Sequence, residues 1–439
     1  ERERESLVET HPVSLRLFNE AKHHLLGGVP MSWMHKWVGG FPVYFDGANG
    51  ALIRDVDGHT YIDFCLGDTG AMAGHSPDAT VRAILQRVQT DGGVTTMLPT
   101  ADAAWVGAEL ARRFGLPYWQ FTLTATDANR FALRLCRQST GRPKVLVFAW
   151  CYHGTVDETF IVIEDGKPRS RPGNVGPAID PTETTVVCEF NDLEAVKAAL
   201  AKGDIACVLM EPALTNIGIV LPEPGFIEGV REATRRAGSY LIIDETHTFS
   251  AGPGGCTKAW NLEPDLVTIG KSLAGGIPFG AYGVSAEIAA AIDADELSDH
   301  SDAGGIGGTL AGNALSLAAA KATLAEVLTE EDFALMIGLC DRFVAGSQYV
   351  IDRYGAPFCI VQLGARCEYR FTPVPPRSGG ESAAAHDAAV DEFLHLWMLN
   401  RGVLITPFHN MALMCPATTE ADVDRHNELF AAACEALFG

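Results

Sequence analysis

The run Asp265-Leu-Val-Thr-Ile-Gly-Lys-Ser-Leu-Ala-Gly-Gly-Ile-Pro-Phe-Gly-Ala-Tyr-Gly283 decides how the rest of the chain is read. Leu266 to Ile269 is a short, mostly apolar run with three β-branched residues in a row, the pattern of a buried strand. It delivers Lys271 into a turn crowded by Gly275, Gly276 and Gly280. A solvated lysine after a strand is the bland alternative, but surface lysines rarely have that setting. Upstream, Tyr240-Leu-Ile-Ile-Asp-Glu245 reads as a second buried strand that ends in two carboxylates.

An amine and a carboxylate at two strand ends are what a pyridoxal phosphate (PLP) enzyme needs: a Schiff-base lysine and a partner for the pyridinium nitrogen. In order and spacing the two segments resemble fold-type I PLP enzymes, specifically class III aminotransferases. The branch they resemble holds the glutamate-1-semialdehyde aminomutases and the β-amino acid aminotransferases. The resemblance runs from about Leu17 to the C-terminus. It implies an α/β PLP-transferase fold with a large, mostly parallel-sheet domain over 71–314 and a small α+β domain over 315–439. Residues 1–70 are then an N-terminal segment that is part of the small domain. It also implies a homodimer with shared active sites.

The bulk numbers agree with a large cytoplasmic enzyme. A chain of 439 residues exceeds a single core, so two packed units are expected. The net charge is 33 − 55 = −22, which argues against a nucleic-acid partner. It says little about substrate charge, because local fields decide that. Eleven cysteines occur with no C-x-x-C pair, so metal and thioredoxin signatures are absent. Scattered thiols of this kind suit a reducing cytoplasm. No run of 18 apolar residues appears, so no membrane span is expected. The charged Glu1-Arg-Glu-Arg-Glu5 start is not read as a signal peptide.

Apolar residues at helical spacing (Val13, Leu15, Leu17, Phe18, Ala21, Leu25) predict a helix over 13–26, stopped by Gly27-Gly28. Phe41 to Phe64 alternates as strands, with turns at Asp46-Gly47 and Asp57-Gly58. From about Gly70 to Ala314, strand-like and helical runs alternate, which argues for a mostly parallel sheet. The strands are read at 144–148, 185–188, 207–210, 241–244, 266–269 and 281–284, and the helices at 127–138, 193–201 and 227–237. Pro373 to Gly380 reads as a surface loop.

The resemblance assigns roles residue by residue. Lys271 carries the cofactor and moves the proton between substrate and cofactor carbons. Asp244 faces the pyridinium nitrogen, while Glu245 supports it. His247 is either a group behind the site or a wall of it. In Leu123-Thr-Ala-Thr-Asp-Ala-Asn129, Thr124, Ala125 and Thr126 occupy the phosphate-binding turn before a helix. Here Ala125 replaces the family's glycine and Asp127 its glutamate. Tyr152-His153-Gly154 matches an aromatic-His-Gly segment, so Tyr152 would stack on the pyridine, with His153 beside it. Glu211 and Asn216 match a Glu-Pro-x-x-x-Asn pattern, with Asn216 near the phenolic oxygen. Thr309, in Gly307-Gly-Thr-Leu-Ala-Gly-Asn313, would reach a partner copy's phosphate. The alternative for this last segment is a flexible loop, since Gly304, Gly305, Gly307 and Gly308 crowd together.

The chain departs from its relatives where they hold a substrate carboxylate with arginine. Phe249-Ser250 stands for Phe-Arg, Trp33 for a second arginine, and Phe408-His409 for a third. Met411 aligns near the aminomutase's glutamate. Trp33, Trp37, Phe408 and Met411, with His409, are therefore expected to build a roomy hydrophobic pocket. The expected function is a ping-pong transaminase. It would take an amine or amino acid with a bulky hydrophobic group and pass the amino group to a keto acid such as pyruvate. The keto acid's carboxylate would use Arg366, or an arginine not placed by sequence. Alternatives on the same scaffold are an aminomutase, a phospholyase, a racemase and a cofactor-binding protein without chemistry.

Overall fold

The computed structural model describes residues 1–294 and 305–439. Gly304 of the glycine-crowded loop lies outside them. The chain divides into two compact units. One comprises Glu1–Pro77, Ala334–Pro375 and Ala385–Gly439, and the other Asp78–Phe333 and Pro376–Ala384.

The second unit is built on a seven-stranded sheet. Its strands in chain order are β1 (Tyr118–Thr122), β2 (Lys144–Phe148), β3 (Thr185–Cys188), β4 (Ile205–Met210), β5 (Tyr240–Asp244), β6 (Leu266–Ile269) and β7 (Gly280–Val284). Their order across the sheet is β1-β7-β6-β5-β4-β2-β3. From β6 to β3 neighbours run parallel, while β7 is antiparallel to both β6 and β1. Every residue of β4 and β6 is buried, which is why these strands are unbroken apolar runs rather than alternating ones. The sequence reading passed over β1. It is a half-exposed edge strand in which Gln120 interrupts the aromatics, so its period-2 signal is short. Helix α1 (Ala125–Thr140) follows β1. In open sheets of this kind ligands bind beyond the carboxyl ends of the strands. That edge is where β2, β4, β5 and β6 deliver the segments beginning at Ala149, Glu211, Glu245 and Gly270.

The first unit carries a sheet of Phe45–Asn49, Leu52–Asp55, Thr60–Asp63 and Val403–Leu404, and a separate antiparallel sheet of Cys359–Leu363, Arg366–Arg370 and Met411–Leu413. Leu7, Phe18, Val29, Phe41, Tyr61, Leu396, Leu399 and Leu404 form one of its cores. Three local expectations change. The helix expected over 13–26 runs only Pro12–Ala21, because Leu26 beyond it is 97% exposed and has no surface to pack on. Asp46-Gly47 lies inside a strand, at a register shift, and the chain turns at Gly50-Ala51 instead. Gly379 is not on a surface loop. It is buried in the second unit, where a Cβ would sit 2.3 Å from the Ala149 carbonyl oxygen.

A buried polar chain ties the N-terminal helices to the strands of the first unit. Tyr61 donates to Asp55 Oδ2 at 2.7 Å and lies 2.7 Å from His11 Nε2. His59 Nδ1 meets the same carboxylate oxygen at 3.0 Å. Burial, followed by the Asp55 carboxylate, pushes the Tyr61 hydroxyl well above its usual pKa, so it stays a donor. Tyr61→Phe takes one donor from the buried Asp55 carboxylate and leaves His11 Nε2 without its hydroxyl partner. We expect a loss of about 1–3 kcal/mol, read from the urea midpoint at unchanged slope. Among the described residues no helix is long and apolar enough to cross a membrane.

Candidate active site

Parallel pairing sets Asp244 of β5 opposite Thr268 of β6. The two strand ends therefore release their next residues side by side. Lys271 follows at φ 53°, a left-handed backbone that costs a non-glycine residue about 1–3 kcal/mol and is concentrated at functional sites. Its Nζ lies 2.9 Å from His247 Nε2. His247 is itself buried, and its carbonyl accepts from the Ser250 hydroxyl at 3.1 Å. The sequence left His247 between two roles; the fold puts it in contact with the lysine amine.

Asp244 is buried and held from three sides. Its Oδ2 accepts from Asn129 Nδ2 and from His153 Nδ1, each at 2.8 Å, and its Oδ1 accepts from the Thr246 amide at 3.0 Å. Asn129 is fixed in turn by the Thr268 hydroxyl, which donates to its Oδ1 at 2.6 Å. Burial by itself would raise the Asp244 carboxyl, but contact with His153 holds it below the usual range. Burial works against charge on His153 too, and the neighbouring Cys151 thiol together with the Asp244 carboxylate lifts it well above the ordinary imidazole value. Both shifts favour an imidazolium beside a carboxylate. His153 Nε2 is buried and makes no geometric hydrogen bond among the described residues, and the Cys151 thiol is the ring's other neighbour. Asn129 was missed by sequence reading. Its signal is a polar residue on the buried face of α1, among Ala128, Ala132 and Leu133.

The start of α1 is a cradle. Thr124 is its N-cap, accepting from the Asp127 amide at 3.1 Å and donating to the Asp127 carboxylate at 2.9 Å. The Thr126 hydroxyl accepts from the Thr155 amide at 3.1 Å. The Thr124 hydroxyl proton is used within the protein, so the open donors here are first-turn amides such as those of Ala125 and Thr126, with the Thr126 O–H beside them. Glycines close around them. A Cβ on Gly270 would lie 3.0 Å from the Ala125 nitrogen, and one on Gly154 would lie 2.0 Å from Thr126 Oγ1. Gly154→Ala also meets φ 76° and is expected to cost about 2–3 kcal/mol, checked by thermal melting of the variant.

Two residues before Tyr152, Trp150 is another left-handed residue, at φ 66°. The Tyr152 amide donates to Glu211 Oε1 at 3.3 Å, and Glu211 Oε2 accepts from the Thr215 hydroxyl. Glu211 thus holds the loop from behind. Burial pushes its carboxyl up. Asn216 Nδ2 donates to the Trp150 carbonyl at 3.4 Å. Thr309 is exposed.

Apart from His247, the pocket residues expected from sequence fall in the first unit. Trp33 meets Phe408 edge-on with ring centroids 6.2 Å apart, and Phe408 lies 4.8 Å from the His409 ring. Met411 does not join that aromatic surface. It is fully buried in the small sheet, where it pairs with Glu368. Arg366 is also fully buried, 3.4 Å from Thr69 Oγ1 and 3.9 Å from an Asp68 oxygen, so it offers no exposed guanidinium.

The family model for aminotransferase class-III matches residues 33–346. A glutamate-1-semialdehyde 2,1-aminomutase of Brevibacillus brevis is 34% identical over 430 residues, covering 94% of this chain and 96% of the relative. The crystal structure of a glutamate-1-semialdehyde aminomutase from Pseudomonas aeruginosa PAO1 is 48% identical with a TM-score of 0.96, covering 99% of this chain and 97% of that one. A lysine-to-alanine form from the same organism, equally similar, was solved with PMP. An omega-transaminase from Sphaerobacter thermophilus is 26% identical with a TM-score of 0.89, covering 99% of this chain and 100% of that one. The cofactor is PLP, and the donor set fits it: first-turn amides for a phosphate, a buried carboxylate for a ring nitrogen and a lysine amine for an aldehyde.

Proposed function

Because this chain belongs to the class III aminotransferases, we propose that it moves an amino group between adjacent carbons of one small molecule, as an aminomutase of the glutamate-1-semialdehyde type. The observation that carries this reading is the end-to-end similarity to proteins described as such aminomutases, at higher identity than to the omega-transaminase. PLP, when bound, supplies an electron sink for the substrate carbon that loses its proton. The rest is done by side chains. Lys271 holds the cofactor and carries that proton, with His247 in contact with its amine. Asp244, kept ionised by His153 and positioned by Asn129, holds the ring nitrogen protonated. The amides of Ala125 and Thr126 bind the phosphate at the N-terminus of α1, where the helix dipole favours an anion. Tyr152 lies on the ring, and Asn216 binds near the phenolic oxygen. Exposed Thr309 serves the phosphate of a second copy, so the working form is a homodimer. All eleven cysteines are buried and unpaired, which supports a reducing compartment.

The test is conversion of glutamate-1-semialdehyde to 5-amino-4-oxopentanoate by purified enzyme with no keto acid added. Turnover under those conditions is the expected result. The second reading, an amine transaminase, is favoured by Trp33 and Phe408, aromatic residues where arginines were expected. It wins instead if an aromatic amine bleaches the cofactor band, pyruvate restores it, and the semialdehyde is inert.

A further inference from the structure

Resting on the reading that the substrate is a small amino-oxo acid, we propose that Arg171 is the anchor for the substrate carboxylate. No arginine stands at the positions where relatives were expected to carry one, and Arg366 is sealed in the first unit. Arg171 follows the hairpin of Ile161–Glu164 and Lys167–Ser170, and its amide is pinned to the Phe160 carbonyl at 2.8 Å. Its guanidinium lies over the Trp150 ring, 5.2 Å from the centroid. One Nη1–H donates to the Cys151 carbonyl at 3.1 Å. Those two contacts fix the plane of the fork against the strained segment that runs straight into Tyr152 and His153.

The remaining donors have no protein acceptor among the described residues, and no carboxylate pairs with this half-buried cation. Arg113 and Arg231, also sunk in this unit, each hold a carboxylate, from Glu109 and Asp265. Burial weighs against the Arg171 charge, and the groups that offset it are the Cys151 thiol, then Tyr152 and Glu211. A buried cation costs free energy unless an anion meets it. A planar fork stacked on tryptophan with its donors open is shaped for a bidentate carboxylate. The ligand class is an acyclic carboxylate whose other end carries the reacting carbonyl or amine.

Two measurements test this. Glutarate, an inert dicarboxylate, is titrated into the protein by calorimetry, with and without PLP. Steady-state constants are measured for a carboxylate substrate and for its decarboxylated amine. Arg171→Gln is expected to weaken glutarate about 10- to 100-fold and to raise KM for the acid by the same factor. The kcat and the KM for the amine should stay within about threefold, and Arg171→Lys should recover part of the loss. If Arg171→Gln proves unstable, Arg171→Lys reads the same question, because it keeps the charge and loses the fork. Wild type that ignores glutarate, or glutarate affinity indifferent to residue 171, overturns the proposal. Arg171-dependent glutarate binding without turnover of the semialdehyde leaves the anchor standing and removes the aminomutase reading.

Discussion

Lys271→Ala is expected to lower kcat by at least about 10⁴-fold while the protein still folds and binds its cofactor. Positioned proton transfer alone is worth about 10²–10⁴-fold, and in the proposed role the same residue also provides the covalent hold on PLP. The fold should survive. Lys271 lies past the end of β6, and the strand pairings on either side involve only main chain. Its φ of 53° is a strain that alanine inherits and glycine does not. Lys271→Gly should therefore be the more stable of the two inactive variants. The check is single-turnover kinetics beside the visible spectrum. Loss of the protein-bound imine band with retention of PLP is expected. A variant keeping a tenth of the wild-type rate would remove Lys271 from the chemistry.

The second large effect is at Asp244. Asp244→Asn keeps the shape but drops the charge that faces His153 and, in the proposed role, the ring nitrogen. Removing one preorganised electrostatic partner typically costs about 10²–10³-fold in kcat. Asp244→Ala does more, because it leaves the buried His153 cation unpaired, and breaking such a pair costs about 3–5 kcal/mol. The pH dependence follows from the directions of the two shifts. His153 is raised, so its contribution to stability is present below the unfolded imidazole value and fades as pH climbs through the raised one. Asp244 is lowered, so its contribution is present above the unfolded carboxyl value and fades as pH falls through the lowered one. Wild type should keep both at neutral pH. Stability measured against pH in Asp244→Asn should lose the alkaline extension that His153 provides. Equal stability–pH curves for the two proteins would mean that the pair is not ionised.

Buried parallel strands appear in sequence as unbroken apolar runs. That is why β2, β3 and β6 could be read from the chain to within a residue, and why the residues at the ends of β5 and β6 could be named as a carboxylate and an amine. Glycine spacing around Lys271 was legible for the same reason: close backbone approach leaves a composition. The aromatic substitutions at Trp33 and Phe408 were legible as departures, but not their geometry. Met411 and Arg366 were misplaced because periodicity does not say which face of a short strand ends up inside. In the small sheet, every residue of Arg366–Arg370 and of Met411–Leu413 is buried.

By itself the sequence determined the fold class, the family and the two strand ends that carry an amine and a carboxylate. These depend on local pattern, and local pattern is what a chain writes directly. Tertiary structure alone decided how those groups are charged and aimed. Asn129 reaches Asp244 across 115 positions and His153 reaches it across 91. His247 finds Lys271 only because β5 and β6 lie side by side. Arg171 gains its place on Trp150 only when a hairpin folds back on the loop. Hydrogen bonds and ion pairs act within a few ångströms, and which side chains come that close is settled by packing rather than by spacing along the chain.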